Sequence, residues 1–195
     1  MRNYGEVNPY FFEDPSKVEE LTEILKDPRN LVAPDDERHL FAPAYRPALF
    51  EYLRHHSLHE VNQGMLFRPE NEDVLLFFLE HWVLGSIYEA MLFEPEFRGR
   101  YLMKYIEYHN FADLDNEKLL WGRGLKEYRR FYINQTEFHV REAELELLKP
   151  CNEEDLQIYV KNKRKFFRDI EEEFRKKAAP ELVALYDLYH KAKEA

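Results

Sequence analysis

One stretch of the sequence, from Glu51 to His59, carries histidines and a carboxylate at a spacing that could hold a metal ion. Glu51, His55 and His59 follow one another at four-residue intervals. On an α-helix each such step advances about 40° past a full turn, so the three side chains would share an arc of about 80°. They would form a His2Glu set suited to Zn, Fe or Mn. The alternative interpretation is a solvated polar face near the end of a helix.

A second candidate lies in the most apolar stretch of the chain, residues 74–93, which contains Glu80, His81 and Glu89. Glu80 and Glu89 would emerge on opposite sides of a single helix, so at least one carboxylate is expected to be desolvated and paired. Glu80 and His81 could then form a buried acid/base site, or line a cavity for an apolar molecule with a polar head. The alternative is a satisfied polar network in the core, completed by an Arg or Tyr from the following helices.

Motifs of established catalytic sites are missing from the sequence. It contains no Glu-x-x-His, the spacing that a carboxylate-bridged di-metal site in a helical bundle requires, and the nearest forms are Asp36-x-x-His39 and Asp187-x-x-His190. Its six glycines form neither a dinucleotide fingerprint nor a phosphate loop. The sequence therefore favours a protein without a cofactor or catalytic residues.

Aromatic residues are unusually frequent, with 15 Phe, 13 Tyr and 2 Trp in 195 residues. Several fall in two segments that we predict to be extended arms, residues 1–14 and 28–46. These residues are Tyr4, Tyr10, Phe11, Phe12, Phe41 and Tyr45. Aromatic side chains bury a large area while losing few rotamers, which suits them to protein interfaces. We therefore expect these six to contact a partner, with folding of the arms onto their own helices as the alternative.

The spacing of apolar residues predicts an all-α fold, a single helical bundle of six or seven helices. The predicted helices begin near residues 15, 47, 72, 95, 116, 152 and 180. Three of them are long, spanning 47–63, 72–93 and 116–149. Prolines at 28, 34 and 43 interrupt regular structure in the second arm. We find no alternating run typical of a strand and no repeat of fixed period.

Composition limits the function further. The chain has 28 Lys and Arg against 38 Asp and Glu, a net charge of −10, which opposes general nucleic-acid binding. The charges inside residues 74–93 oppose a membrane span. A single cysteine excludes an internal disulfide, and the N-terminus resembles neither a signal nor a transit peptide. We therefore expect an intracellular protein, located in the cytoplasm or in an organelle interior.

These observations lead to one main hypothesis and one alternative. The main hypothesis is a non-catalytic helical subunit or adaptor that docks on a protein partner, or on a second copy of itself, in a larger assembly. The alternative is a metal-dependent helical-bundle enzyme that uses Glu51, His55 and His59 as ligands and Glu80 with His81 as acid and base.

Overall fold

A computed structural model describes residues 5–190 of the chain. Regular structure within this range is helical without strands, apart from one isolated parallel bridge between Glu6 and Leu31. The all-α fold predicted from apolar spacing is thereby confirmed. The chain divides into two compact units, Met1–Tyr88 and Glu89–Ala195, called here the N-terminal and C-terminal units. The single domain expected from the length of the chain stays a prediction.

The helices are shorter and more numerous than the six or seven predicted. The first six are α1 (Val18–Leu25), α2 (Pro34–Glu37), α3 (Arg46–Leu53), α4 (Glu60–Gln63), α5 (Glu72–His81) and α6 (Ser86–Met91). The remaining six are α7 (Met103–Tyr108), α8 (Lys126–Gln135), α9 (Arg141–Leu145), α10 (Glu153–Lys161), α11 (Arg168–Lys177) and α12 (Pro180–His190). Short 3-10 helices join several of them, and one at Leu114–Trp121 is eight residues long.

The three long helices predicted at 47–63, 72–93 and 116–149 are each broken in the structure. In the second, the chain leaves α5 at Trp82 in an extended conformation (φ −136°, ψ 146°) before α6 begins. The amide of Gly85 in this break donates to Gln63 Oε1 at 2.8 Å. Leu79 and Leu84 are buried on either side of the break, so the apolar pattern continues although the helix does not. Apolar spacing alone therefore could not reveal these breaks.

The segment 28–46 is not an extended arm. It forms α2 and two 3-10 turns, Arg38–Phe41 and Pro43–Tyr45. Proline is compatible with the first position of a helical turn, because the amide it lacks would have no intrahelical acceptor there. Pro34 and Pro43 therefore each start a short helix, whereas Pro28 lies in the turn that follows α1.

The structure also overturns the expectation that the sequence has no repeat of fixed period. One buried ring recurs on each longer helix after α1, at intervals of 26 or 27 residues. These rings are Tyr52, Phe78, Tyr105, Tyr132, Tyr159 and Tyr186. Each repeat comprises a first helix, a turn and a second helix, and the 3-10 helix Leu114–Trp121 serves as one of the first helices. The second helix is called here the longer one, because it exceeds the first in every repeat except that of α6 and α7, which have equal length.

Successive longer helices pack side by side within each unit. In the N-terminal unit α1 contacts α3, and α3 contacts α5. In the C-terminal unit α7 contacts α8, α8 contacts α10, and α10 contacts α12. Each repeat thus buries its apolar side chains against its neighbours in the array, as in helical repeat proteins.

Candidate functional site

The buried Glu117 shows how adjoining repeats are joined. Its carboxylate accepts the hydroxyl of Tyr132 at 2.6 Å and the backbone N–H groups of His139 and Val140 at 2.8 Å each. His139 Nδ1 lies 2.9 Å from the same carboxyl group, whose oxygen can accept a ring N–H. Tyr132 belongs to the same repeat and His139 opens the next. We call this arrangement, a buried acid bonded to a ring hydroxyl and to the next repeat's backbone, the carboxylate link.

The carboxylate link recurs in both units. Glu37 hydrogen-bonds Tyr52 and accepts the N–H of His59 at 3.0 Å, and His59 Nδ1 lies 2.9 Å away. Glu144 accepts the Tyr159 hydroxyl at 2.7 Å. Glu144 also accepts the N–H of Phe167 at 2.7 Å, and Glu171 hydrogen-bonds Tyr186. Glu37 and Glu144 thus connect residues 15 apart and 22 or 23 apart in the chain, which positions each extended segment against the preceding repeat. Glu171 shares only the bond to the ring hydroxyl.

One repeat uses an amide in place of the acid. Gln63 occupies the acid position and accepts only the N–H of Gly85, and the corresponding ring is Phe78, which has no hydroxyl. Gln63 Nε2 donates to the carbonyl of Leu58 at 3.3 Å. Phe78 lacks the hydroxyl that would donate, and the Gln63 amide has one acceptor oxygen where a glutamate has two. The two changes compensate, so this buried site also has its hydrogen bonds satisfied.

Burial raises the pKa of three of the link tyrosines and of one link acid, Glu144. Desolvation, followed by the nearby Glu117 carboxylate, raises the pKa of Tyr132, and Tyr52 and Tyr159 are raised for the same two reasons by their own acids. These hydroxyls therefore stay protonated donors. Desolvation also raises the pKa of Glu144 to about 7, although the bonds from Tyr159 and Phe167 oppose this shift.

A signal in the sequence could have revealed the repeat. The tetrapeptide Leu-Phe-x-Pro begins at Leu40, Leu66 and Leu92, which are 26 residues apart. Related turns follow at Leu120-Trp121 and at Leu147-Leu148. The first leucine of each turn is fully buried. The link acids gave no comparable signal, because Glu is common throughout this acidic chain.

The structure does not assemble the candidate metal ligands on one helical face. Helix α3 ends at Leu53, so His59 lies in the following extended segment and is bonded to Glu37. Glu51 is bonded to Arg54 at 2.5 Å, and its carboxylate lies 3.6 Å from His55 Nε2. Among residues 5–190, no three His, Cys, Asp or Glu side chains are grouped closely enough to hold a metal ion.

The candidate acid/base pair also takes a different position from the one expected. His81 is exposed at the end of α5, where it stacks on Phe77 with ring centroids 4.2 Å apart, and Glu80 is half-buried on the same helix. The fully desolvated carboxylate is Glu89, with 0% exposure.

Glu89 has the satisfied network that the sequence offered as the alternative to an acid/base site. It accepts the Tyr105 hydroxyl at 2.5 Å and the N–H groups of Ala112 and Asp113 at 2.7 and 3.1 Å. Asn116 Nδ2 donates to it at 2.6 Å. Glu89 therefore forms a carboxylate link, and the partner is a tyrosine from a following helix.

The aromatic residues predicted to form an interface lie in different environments. Phe41 and Tyr45 are buried, at 7% and 4% exposure, so both belong to the core of the N-terminal unit. Phe11 and Phe12 are half-buried, and Phe12 stacks on His39 and contacts Tyr45. Tyr10 is 51% exposed. Tyr4 lies outside the described residues. Folding of the arms onto their own helices therefore accounts for Phe12, Phe41 and Tyr45.

Two exposed aliphatic residues, both in the N-terminal unit, occupy equivalent positions in successive repeats. Val61 and Ile87 are 77% and 70% exposed. Each lies two residues before the side chain that accepts the next repeat's backbone N–H, Gln63 or Glu89. Their helices are adjacent, because Gly85 bonds Gln63 and Tyr88 stacks on Phe67. In the other repeats the same position is exposed and acidic, as Asp35, Asp115, Glu142 and Asp169. We call Val61 and Ile87 the aliphatic pair.

Charge differs between the two units. The N-terminal unit has 8 Lys and Arg against 16 Asp and Glu, a net charge of −8. The C-terminal unit has 20 against 22, a net charge of −2. The aliphatic pair therefore lies in the strongly acidic unit. None of the helices described between residues 5 and 190 is long and apolar enough to cross a membrane.

Comparison with protein-family models, curated proteins and solved structures finds no match to this chain.

Proposed function

We propose that this protein is a non-catalytic repeat adaptor that docks on a protein partner through its N-terminal unit. The observation that carries the proposal is the aliphatic pair, Val61 and Ile87, exposed where other repeats present an acid. Helical repeat proteins typically recognise partners through non-uniform residues at equivalent surface positions, while the buried repeat positions support the array. An exposed apolar patch with a polar surround is typical of a protein interaction site.

The buried acids support a structural role for the titratable groups. Glu37, Glu89, Glu117 and Glu144 are each bonded to protein donors and have 0% exposure. A carboxylate held in this way by tyrosine and backbone N–H groups stabilises the array. We therefore expect the exposed surface to bind the partner.

The charge of the N-terminal unit indicates the chemistry of the partner. A surface with a net charge of −8 attracts basic proteins and accelerates their association at low salt. We therefore expect a basic partner surface that places apolar side chains on Val61 and Ile87.

The test uses substitutions that the protein itself carries at this position. Val61→Asp and Ile87→Asp install the residue found at Asp115 and Asp169, near the start of a helix where an acid is favourable. A photo-crosslinking residue at position 87 should give a discrete adduct with a partner in the cells that make the protein. Val61→Asp should remove this adduct without lowering the melting temperature.

A crosslinking residue at position 142 is the matched control, since this position is also exposed and lies in a repeat that carries an acid there. Equal adducts from positions 87 and 142, or an adduct that survives Val61→Asp, would contradict docking at the aliphatic pair. A strictly monomeric protein that gives no adduct from any position would contradict the adaptor function itself.

A further inference from the structure

The C-terminal unit contains an apolar groove between α10 and α12. The groove has a volume of about 780 Å³, in the range of ligand-binding pockets. Its apolar lining includes Leu147, Leu148, Leu156, Leu182 and Leu185. Position and composition distinguish it from the aliphatic pair, which lies in the other unit. We call it the α10/α12 groove.

The preceding pair of helices, α8 and α10, shows what fills the same place one repeat earlier. There the Arg129 guanidinium lies over the Trp121 ring, 4.2 Å from its centroid, and its Nε donates to Asp155 at 2.9 Å. Lys126 donates to Glu154 at 2.9 Å across the first turns of the two helices. An aromatic ring and cations therefore close this gap.

Each of these positions changes 27 residues later. Trp121, Arg129 and Lys126 correspond to Leu148, Leu156 and Glu153, and Asp155 and Glu154 correspond to Leu182 and Glu181. The ring, the guanidinium and the ammonium are all replaced, while the acid at the first turn of the second helix remains. The α10/α12 groove is open because nothing in these positions is large enough to fill it.

The charges around the groove define which end is acidic. Glu153 and Glu181 line it at the first turns of α10 and α12, and neither forms an ion pair with any residue in the described range. Lys149 and Lys177 line the same rim, but they are already paired with acids one turn earlier, Glu146 and Glu173.

Lys161 lines the opposite end of the groove, at the C-terminus of α10. Among residues 5–190, the end formed by the two first turns therefore has two acids without an ion-pair partner and no unpaired cation.

We infer that the α10/α12 groove binds a peptide segment of a partner protein that carries an aromatic anchor next to an arginine or lysine. The ring would lie on Leu148, Leu156 and Leu182, where Trp121 lies one repeat earlier. The cation would reach Glu153 and Glu181, replacing the charge that Lys126 supplies between α8 and α10. This inference rests on the proposed docking function and assigns it a second surface with its own ligand class.

The test measures binding of a short fluorescein-labelled peptide, with one tryptophan between two arginines in an alanine and serine background, to the full chain by fluorescence polarisation. We expect a dissociation constant on the order of 10–100 μM, typical of a single small anchor. Replacing the peptide's tryptophan by alanine, or its arginines by glutamate, should weaken binding by about tenfold or more, which corresponds to the loss of one good contact.

Two variants of the protein localise the binding. Leu148→Trp places in the groove the residue that position 121 carries, and should abolish peptide binding. Glu153→Lys installs the equivalent of Lys126, which would pair with Glu181, and should weaken binding while leaving the apolar lining intact. If Leu148→Trp unfolds the protein, as judged by circular dichroism, Glu153→Lys and the altered peptides still decide the result.

Asp35→Lys is the matched control for Glu153→Lys, because it reverses the charge of an exposed acid in the other unit and should leave peptide affinity unchanged. Equal binding by wild type, Leu148→Trp and Glu153→Lys would overturn the inference, as would tighter binding of the glutamate peptide. A dimer in light scattering that Leu148→Trp dissociates would also overturn it, because a second copy would then occupy the groove. Failure here with intact crosslinking at position 87 would leave the proposed function standing.

Discussion

The repeat centred on Glu117 and the repeat centred on Gln63 join their neighbours with different chemistry on a similar backbone. Glu117 accepts a tyrosine hydroxyl, two backbone N–H groups and a histidine N–H. Gln63 accepts one backbone N–H, that of Gly85, beside a phenylalanine. The backbone N–H of the next repeat is the shared element. The comparison teaches that an acceptor at this position is constant, whereas the acid and the ring hydroxyl vary together.

Replacing the acceptor side chain by alanine should give the largest difference in stability between the Glu117 repeat and the Gln63 repeat. Glu117→Ala would leave the Tyr132 hydroxyl and the N–H groups of His139 and Val140 without acceptors. We expect a loss of about 4 kcal/mol in the free energy of unfolding, since each buried unsatisfied donor costs about 1–3 kcal/mol. Gln63→Ala, which strands fewer donors, should cost about half as much.

Amide hydrogen exchange in the full chain checks this prediction directly. The amides of His139 and Val140 should lose protection in Glu117→Ala but keep it in Gln63→Ala, which serves as the matched control. Unchanged protection at both amides in Glu117→Ala would show that the acid does not hold the next repeat.

The pKa of Glu144 predicts a pH dependence that an amide would not have. Its pKa is raised to about 7 from the usual 4.5, so the native state favours the protonated acid. The stabilisation is full below the unfolded pKa and is lost as the pH rises through about 7. We expect the free energy of unfolding to fall by about 2–3 kcal/mol between about pH 4.5 and about pH 8.

Glu144→Gln should flatten this dependence, because Gln63 shows that an amide can accept the corresponding N–H. Urea unfolding at several pH values measures the slope, and Tyr159→Phe gives a second variant that keeps the titrating acid. A slope in Glu144→Gln equal to that of wild type would assign the pH dependence to other groups.

The joint change of acid and hydroxyl predicts a coupling between Glu117 and Tyr132. Glu117→Gln with Tyr132→Phe recreates the pair found at Gln63 and Phe78. The double variant should be more stable than the sum of the single losses predicts, by about 1 kcal/mol, as for other hydrogen-bonded neighbours. A double-mutant cycle measured by urea unfolding tests this, and strict additivity would mean that the two groups act independently.

The smallest effect is expected from the two histidines that join carboxylate links. The side chains of His59 and His139 are 44% and 35% exposed, and each donates Nδ1 to the preceding acid. Each alanine substitution should cost less than about 1 kcal/mol, since the backbone bonds remain. The two costs should be similar, because the two contacts have the same geometry.

Substitution of His59 also tests the hypothesis that Glu51, His55 and His59 bind a metal ion. Plasma mass spectrometry of protein purified without chelator would detect Zn, Fe or Mn in wild type that is lost in a His55→Ala, His59→Ala double variant if these residues were ligands. His59→Ala would then also cost much more than His139→Ala. Either result would replace the structural role assigned to His59.

Much of the fold could be predicted from the sequence, whereas the repeat could not be recognised from apolar spacing. The stripe of Val18, Leu21, Ile24 and Leu25 predicts the helix that begins near residue 15, and α1 contains all four residues. The spacing over 74–93 predicted one helix, but the structure contains two joined by an extended segment. Burial on both sides of Trp82 continues the apolar pattern, so the pattern reports the buried face and not the backbone conformation.

The candidate site was predictable only in outline. The positions of Glu80 and Glu89 predicted that one carboxylate would be buried and paired, and Glu89 is. Which of the two is buried depends on the break between α5 and α6, after which a new helix begins at Ser86. The amide of Gly85 in this break bonds Gln63 from the preceding repeat. His55 and His59 were expected on one helical face because the sequence predicts a single helix over 47–63. Helix α3 ends at Leu53, so neither histidine lies on it.

The sequence by itself determined the all-α class, the net charge of −10 and the lack of known catalytic motifs, because these depend on composition and local spacing. Only the tertiary structure decided which acids are buried, which aromatic rings enter the core and where the exposed pair and the groove lie. Those outcomes depend on hydrogen bonds between residues 15 to 23 apart, whose formation requires the extended segments to cross back onto the preceding repeat. Local spacing contains no information about that crossing.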